Sequence, residues 1–489
     1  FMTAAGLSSP LAFHVGRLPE VVESEPKNEA AGMARTGVRT GRIVQTEMRV
    51  SLPAVLNGQI LPGDVDRYRF AARKGQKLVV AACARQLIPY LADAVPGWFQ
   101  AVLTLYDAQG REVAYADDYR FSPDPVLLYE VPAEGEYVVE IRDSIYRGRE
   151  DFVYRITIGE LPFVTSVFPL GGTAGQRVTV DLEGWNLPTG TRVKECEKRD
   201  GGGGIADLMD HASSVVNSPC FAVDTLAECL ERESNDSPAT AQKLVPGVIV
   251  NGRIQQSGDR DVFCFEGRAG SEIVAEVLAR RLGSPLDSVL RLTDVAGRQL
   301  AFNDDREDKG DGLATHHADS LVHLVLPADG MYYLHLGDAQ NKGGSEYGYR
   351  LRVSPPRPDF ELRIVPSSVN LRGGTTVPLT VYALRKDGFQ GDISLALRDA
   401  PSGFSLSGWV PAGPDRVQVT LTAPATPTSE PICLSLEGRA TIEGREVVRP
   451  VVPADDRMQA FFYRHLVPAQ ELRVAVSGQK MARGAVTLL

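Results

Sequence analysis

Apolar and polar residues alternate over short stretches along most of the chain, and turn residues separate these stretches. Examples lie at 137–141, 177–182, 332–336, 377–383 and 417–421. An alternation with a period of two residues predicts half-buried β-strands. Amphipathic helices, which a parallel α/β fold needs between its strands, are nearly missing from the pattern. We therefore predict an all-β protein, a multidomain chain of antiparallel β-sandwiches.

Three phrases occur twice in the chain, in the same order. They are an Asn-Gly pair followed by Gly-Asp-x-Asp and an apolar run, then an Asp-Asp pair, then a Pro-Ala-acid-Gly turn before a strand. They lie at 57–70, 117–118 and 132–135, and again at 251–265, 304–305 and 327–330. This order predicts a duplicated domain, since internal repeats generally mark repeated structural units. The spacing of turns and strands is typical of a sandwich or jelly roll.

The remaining segments predict further sandwich domains. Residues 9–15 resemble residues 218–223, so segment 1–18 is predicted to be an orphan closing strand of an Ig-like domain, and 162–227 to be a short complete one. Within it, residues 205–216 suggest a short helix. The predicted domains are 1–18, 19–161 (first copy), 162–227, 228–356 (second copy), an Ig-like sandwich at 357–478 and a tail at 479–489.

Composition and charge narrow the class of protein. The chain has 489 residues, 47 of them Gly and 32 Pro, which agrees with many turns. Its net charge is −10 and it has no basic run, which argues against nucleic-acid binding. No apolar run is long enough for a membrane-spanning segment, and no signal peptide is visible, so we expect a processed chain or a fragment. The six cysteines form no CxxC motif; one pair among Cys196, Cys220 and Cys229 could be bridged.

The duplicated unit resembles the bacterial pre-peptidase C-terminal (PPC) domain. The resemblance covers about 270 residues in two copies, and its clearest motifs lie at 231–238, 258–265, 302–305 and 327–334. Segment 162–227 resembles a shortened IPT/TIG domain, and 357–478 resembles a bacterial Ig-like domain in general pattern. The PPC resemblance implies a secreted, jelly-roll-like accessory domain without catalysis of its own, often found beside secreted proteases. A related collagen-binding module of clostridial collagenases binds calcium through the same opening motif.

Oxygen-bearing side chains suggest calcium as a cofactor. Calcium takes six to eight oxygen ligands, and acidic residues occur both before the first strand and at the Gly-Asp-x-Asp strand start of each copy. The candidates are Glu231, Glu233, Asn235, Asp236, Asp259 and Asp261 in the second copy, and Glu23, Glu25, Asn28, Asp64 and Asp66 in the first. The first copy departs from the pattern, because Pro26 and Lys27 precede its Asn and Glu29 replaces the following Asp. The alternative is that these residues are solvated acids and turn formers.

Other candidate chemistry is weaker. The acidic run 303–311 is followed by His316, His317 and Asp319, which suggests either a transition-metal site or, more simply, a solvated hairpin loop. No metalloprotease, nucleophile-elbow or phosphate-loop motif occurs, so we expect no enzyme. Aromatic residues concentrate in the first copy and suggest either core packing or an exposed platform for sugars or peptides: Trp98, Phe99, Tyr106, Tyr115, Tyr119 and Tyr146.

Two functions of different kinds remain open. The first is a secreted or cell-surface β-protein that acts in adhesion, extracellular assembly or scaffolding, with self-association through strand donation by residues 1–18. The second is a substrate-targeting region of a secreted protease or other hydrolase. Both place the chain outside the cell, at the cell surface or in the periplasm. For either function we expect a protein or polysaccharide partner.

Overall fold

The computed structural model is built from strands, which confirms the predicted all-β class. It describes residues 2–3, 6–8, 13–24, 45–88, 98–188, 192–196, 204–208, 215–308, 310, 317–458 and 464–479. Those residues form 39 strands and one 3-10 helix, Arg280–Leu282. None of the helices described is long and apolar enough to cross a membrane.

A small hairpin opens the chain. Its strands are β1 (Met2–Thr3) and β2 (Gly6–Leu7), whereas residues 13–19 form no strand. Leu7 is buried, and its backbone exchanges two hydrogen bonds with the side chain of Asn370, of 2.6 and 2.8 Å. The predicted closing strand at 9–15 lies partly outside the described residues, and the part that is described is not extended into a sheet.

The first sheet pair contains ten strands. They are β3 (Glu20–Val22), β4 (Gln45–Arg49), β5 (Ala54–Gln59), β6 (Val65–Ala72), β7 (Lys77–Cys83), β8 (Ala101–Tyr106), β9 (Glu112–Ala116), β10 (Val126–Glu130), β11 (Gly135–Asp143) and β12 (Val153–Gly159). One sheet has the order β10-β7-β12-β5-β3 and the other β4-β6-β11-β8-β9. The pairs β3–β5 and β4–β6 are parallel and the others antiparallel. Alternating residues of both sheets meet in one core, as expected for a sandwich.

A smaller unit of two three-stranded sheets follows. Its strands are β13 (Phe163–Phe168), β14 (Gly171–Thr173), β15 (Arg177–Trp185), β16 (Arg192–Glu195), β17 (Gly204–Asp207) and β18 (Cys220–Asp224). The sheet orders are β13-β15-β16 and β14-β18-β17. The helix predicted at 205–216 is wrong at its start, because Gly204–Asp207 pairs with Cys220–Asp224 as a strand; residues 209–214 lie outside the described part.

The second sheet pair repeats the strand order of the first. Its strands are β19 (Ala227–Leu230), β20 (Gln242–Lys243), β21 (Val248–Arg253), β22 (Arg260–Gly267), β23 (Glu272–Leu278), β24 (Ser288–Asp294), β25 (Gln299–Asn303), β26 (Leu321–Val325), β27 (Gly330–Asp338) and β28 (Gly348–Ser354). The orders β26-β23-β28-β21-β19 and β20-β22-β27-β24-β25 match those of the first pair strand by strand. The repeated sequence phrases therefore occupy equivalent strands in two units of the same topology.

Eleven strands around one core complete the described chain. They are β29 (Asp359–Val365), β30 (Ser368–Gly373), β31 (Thr376–Lys386), β32 (Ile393–Arg398), β33 (Ser405–Ser407), β34 (Trp409–Val410), β35 (Arg416–Thr422), β36 (Ile432–Ile442), β37 (Arg445–Met458), β38 (Arg464–Pro468) and β39 (Leu472–Gln479). Their main path is β30-β39-β36-β37-β29-β31-β35-β33, with β30 at one end. The exact limits of the predicted domains stay predictions.

Ion pairs with little exposure to solvent join the second sheet pair to this last unit. Arg352 on β28 donates hydrogen bonds to Glu276 at 2.8 Å and to Asp387 of the last unit at 2.6 Å. Burial alone would raise the pKa of Glu276, but Arg281, Arg352 and Arg306 surround its carboxylate and hold the pKa at about 2. The joint therefore stays charged and paired over the whole physiological pH range.

Candidate calcium site

The segment after β19 folds back onto the start of β22 in the second copy. The backbone amide of Glu231 donates to the carbonyl oxygen of Asn251 at 3.0 Å, and that of Val262 donates to the carbonyl oxygen of Asn235 at 2.8 Å. These bonds bring the acidic segment 231–236 against the Gly-Asp-x-Asp turn, where Gly258 takes the positive φ that the tight turn requires. Residues that are more than twenty positions apart in the sequence thus meet at one corner of the sandwich.

Three carboxylates lie together at this corner. One oxygen from each of Glu233, Asp259 and Asp261 lies within 4.8 Å of the others, and Asp261 is fully buried. Asp259 also accepts a hydrogen bond from the backbone amide of Gln255 at 2.6 Å. Burial and the nearby charges of Asp259 and Asp236 raise the pKa of Glu233. The cluster therefore concentrates negative charge that a cation would compensate.

The side chain of Asn235 points into the same cluster and is fully buried. With its amide nitrogen turned inward, it donates hydrogen bonds of 3.0 Å to Glu233 and 2.9 Å to Asp261. With its amide oxygen turned inward, that oxygen faces the carboxylates of Glu233 and Asp261, an arrangement that a bound cation would stabilise. Both orientations fit the same pocket, so Asn235 suits either the metal-free or the metal-bound state.

Glu231 faces a buried tyrosine and, among the three carboxylates, interacts with Asp261. Its carboxylate accepts hydrogen bonds from the backbone amide of Arg253 at 2.8 Å and from the hydroxyl of Tyr349 at 2.7 Å. The same hydroxyl also lies 2.6 Å from Asp261. Burial, followed by the nearby charge of Glu231, raises the pKa of Asp261 to about 9, and burial also raises the pKa of Glu231. Without a cation, Asp261 is therefore neutral at pH 7.

The first copy has a group equivalent to Glu231, Tyr349 and Asp261, a triad of one tyrosine between two acidic residues. The hydroxyl of Tyr154 lies 2.7 Å from Asp66 and 3.2 Å from Glu23, and burial raises the pKa of Asp66 to about 9. The hydroxyl of Tyr68 lies 2.6 Å from that of Tyr154, whereas Phe263 occupies the equivalent position of the second copy. Asp64 has one buried carboxylate oxygen without a hydrogen-bond partner among the described residues.

The sequence-predicted site residues therefore divide into groups. The structure brings together Glu233, Asn235, Asp259 and Asp261, and it leaves Asp236 exposed beside them. It sets Glu231 and Glu23 against tyrosines. The predictions for Glu25 and Asn28 lie outside the described residues.

Sequence reasoning missed Tyr154 and Tyr349. Each begins a repeated Tyr-Arg pair in the last strand of its copy, a signal that the comparison of the two copies could have found. The tyrosines also explain why glycine recurs in the Asn-Gly motif of each copy. A Cβ at Gly58 or Gly252 would collide with the tyrosine hydroxyl and the glutamate carboxylate. The glycine thus leaves room for the carboxylate–tyrosine contact.

A second repeated group adjoins each triad. Arg350 is 1% exposed and donates to Asn251 at 2.9 Å and to Glu228 at 2.8 Å, while Asn251 donates to Glu228 at 2.9 Å. In the first copy the equivalent residues are Arg155, Asn57 and Glu20, which make the same contacts. Arg350 lies against Gly171 of the preceding small unit, where a Cβ would collide with its guanidinium. The group therefore helps to fix one unit on the next.

The histidine-containing loop has a structural role where it is described. Asp319 is buried and accepts hydrogen bonds from the backbone amides of Ala279 and Arg280 and from Arg281. His317 accepts a hydrogen bond from the backbone amide of Asp308 at 3.3 Å, and His316 lies outside the described residues. All six cysteines are described, and none is bridged.

Oxygen donors dominate the second-copy site. Carboxylate and amide oxygens are the ligands of a hard cation, and the cluster contains no sulfur or imidazole ligand among the described residues. Such a set fits calcium better than zinc. Glu233, Asp259, Asp261 and the amide oxygen of Asn235 would hold it, with Asp236 near enough to add its charge.

The chain is similar to parts of several known proteins. No protein-family model matches it. A probable subtilase-type serine protease of Deinococcus radiodurans is 39% identical over 105 residues, which are 21% of this chain and only 13% of that protein. The pre-peptidase C-terminal domain of a Bacillus anthracis collagenase is 11% identical, with a TM-score of 0.19, and the match covers 24% of this chain and 99% of that domain.

A further solved structure matches over a similar share. It is PliG of Aeromonas hydrophila, a periplasmic inhibitor of g-type lysozyme, with 15% identity, a TM-score of 0.17, and coverage of 24% of this chain and 98% of that one. That both sheet pairs are PPC domains, and that the small unit is an IPT/TIG domain, stay predictions.

Proposed function

We propose that this chain is a non-catalytic accessory region of a secreted protease or other hydrolase, and that it holds protein or polysaccharide substrates near the catalytic domain. The observation that carries the proposal is the 39% identity to a subtilase-type serine protease over 105 residues. The sequence resemblance to PPC domains supports the same reading. The two sandwiches of the same topology supply large surfaces, which suit a partner much larger than a small molecule.

We also propose that calcium stiffens the second copy. The ion would hold the segment 231–236 on the start of β22, because its ligands come from both. Binding to the folded state alone would raise stability by about 2.7 kcal/mol when calcium is at roughly a hundred times its dissociation constant. The benefit would be a fixed corner of the second sandwich, where the segment 231–236 meets the start of β22.

Co-sedimentation with insoluble substrates tests the accessory role. We expect the purified chain to bind at least one insoluble polypeptide or polysaccharide, and to cleave neither. Fused to a subtilase catalytic domain, it should speed hydrolysis of that insoluble substrate and leave hydrolysis of a soluble peptide unchanged. Failure to bind any of a broad panel, or equal effects on soluble and insoluble substrates, would contradict the proposal.

Adhesion or assembly is the second candidate function. The supporting observation is the hairpin β1–β2, which contacts the end strand β30 through Leu7 and Asn370. The same contact between two copies of the chain would link them by exchange of the N-terminal segment.

Deletion of residues 1–18 tests this exchange. If copies associate through the hairpin, the deletion should convert oligomers to monomers on size-exclusion chromatography. Asn370→Ala should weaken the association, because it removes both hydrogen bonds to Leu7. An unchanged elution volume for both variants would rule out the exchange.

A further inference from the structure

Two exposed arginines flank a histidine on one face of the second copy. Phe302, Arg291 and His335 lie directly opposite one another on β25, β24 and β27. Arg260 begins the next strand, β22, and its Cγ lies 3.6 Å from the position that a Cβ on Gly337 would take. Directly opposed residues of neighbouring strands have their side chains within contact distance of each other. The four side chains therefore form one surface, on which Phe302 is 51% exposed.

The positive charge of this surface has no carboxylate beside it. Within the part of the chain that the structure describes, neither Arg260 nor Arg291 forms an ion pair. Burial, followed by the charges of Arg291 and Arg260, lowers the pKa of His335 to about 4, so its imidazole is neutral at pH 7. Its Nε2 lies 3.2 Å from the hydroxyl of Thr293. Strand alternation turns Arg260 away from the buried Asp261 of the calcium cluster.

The first copy compensates the equivalent position with its own residues. In the register of the strands, Glu140 takes the place of His335. Its carboxylate accepts a hydrogen bond from Arg67 at 2.8 Å and lies 3.8 Å from the guanidinium of Arg142. The same face of the same topology is thus neutralised internally in the first copy and left positive in the second.

The aromatic platform that the sequence suggested in the first copy is largely closed. Phe99 is buried, and arginines cover the rings of Trp98, Tyr106 and Tyr146 at 4.8, 5.4 and 4.7 Å. In the second copy the half-exposed ring of Phe302 lies next to a positive charge instead.

A sugar that carries a carboxylate matches this surface. The planar guanidinium group binds a carboxylate through two parallel hydrogen bonds, and the apolar face of a sugar ring packs on an aromatic ring. A ring on Phe302 would place its carboxylate at Arg291. An extended peptide is less well matched, because β22, β27 and β24 are interior strands and offer no free backbone groups to pair with.

We propose that this face of the second copy binds an acidic polysaccharide whose sugar units bear carboxylates. The inference deepens the accessory role proposed above and rests on it for the choice of a polymer as partner. It does not depend on calcium, because the metal cluster and this surface use different residues.

Fluorescence anisotropy with labelled tetragalacturonate tests the proposal, with EDTA present and at about 0.1 M salt, which screens the net charge of −10. The variant Arg260→Gln/Arg291→Gln should weaken binding about fivefold, as expected for two exposed ion pairs. The matched control Arg268→Gln/Arg445→Gln removes two positive charges from other exposed positions and should bind as the parent does. Phe302→Ala should also weaken binding, because the sugar ring loses its platform.

A second variant transfers the arrangement of the first copy. His335→Glu places a carboxylate between the two arginines and should abolish binding by pairing with them. The melting temperature of each variant shows whether it is folded. If His335→Glu does not fold, the double glutamine variant decides, since it changes only exposed side chains.

Three results would overturn the proposal. One is the absence of tetragalacturonate binding, and another is equal weakening by both double variants. The third is tighter binding of labelled tetraglutamate that does not depend on Phe302, which would indicate an acidic polypeptide partner. All three are read on the chain alone, whereas the accessory role is read from the fused catalytic domain, so either proposal can fail without the other.

Discussion

Replacing Arg350 by alanine is expected to lower the free energy of unfolding of the second sheet pair by about 3–5 kcal/mol. This is the usual loss when one partner of a buried ion pair is removed. The guanidinium is 1% exposed, and its removal leaves the amide oxygen of Asn251 without this donor and Glu228 with only the amide of Asn251. It also empties the space below Gly171, so the joint to the small unit should loosen.

The first copy supplies a matched control. Arg155 makes the same pair with Glu20, but the side chains are 13% and 42% exposed, so water can replace the lost contact. Arg155→Ala should therefore cost only about 1 kcal/mol or less. Hydrogen exchange read by mass spectrometry resolves the two sheet pairs separately. Equal losses of protection in the two variants would contradict the assignment of Arg350 as a buried structural ion.

Calcium is expected to raise the melting temperature of the parent chain, and more strongly at pH 8 than at pH 6. Metal-free folded protein keeps a proton on Asp261, whose pKa is about 9, while the unfolded chain releases it near pH 4. Between these values the folded state binds more protons, so metal-free stability falls as the pH rises. Calcium must displace that proton, so its affinity should rise by up to about tenfold per pH unit below pH 9.

The variant Asp261→Asn distinguishes the effect of protonation at this position from the effect of calcium binding. The amide resembles the neutral acid, so this contribution to metal-free stability should no longer fall between pH 4 and 9, and the calcium response should disappear. Asp66→Asn changes the equivalent group of the first copy and should leave the calcium response of the second copy intact. Differential scanning calorimetry with calcium or EDTA measures both effects. A calcium response that survives in Asp261→Asn, or that does not change with pH, would exclude the proposed site.

The sequence predicted the parts of this molecule that depend on local pattern or on internal repetition. Alternation predicts strands such as β11 and β35, and the repeated phrases predict two units of one topology. The sequence suggests a short helix over 205–216, because the few residues at its start do not distinguish the helical from the strand period. Only the pairing with β18 determines that this start is a strand.

The candidate site shows where sequence reasoning ends. The sequence identifies the acidic residues at 231–236 as candidates. It does not predict the direction in which each side chain points, because a loop has no fixed period. The structure turns Glu231 toward Tyr349 and Glu233 toward Asp259, and it buries Asn235 while exposing Asp236. The tyrosine lies 118 positions from Glu231, so only the folded sheet brings them together.

One substitution between the copies changes the contacts of the buried tyrosine. In the first, the hydroxyl of Tyr68 joins the Tyr154–Asp66 contact, so a protein group completes the network. In the second, Phe263 offers no such group. The contact in the first copy consists of protein groups alone. If calcium occupies the second-copy site as we propose, the rigidity of that corner would instead depend on the concentration of divalent ions around the protein.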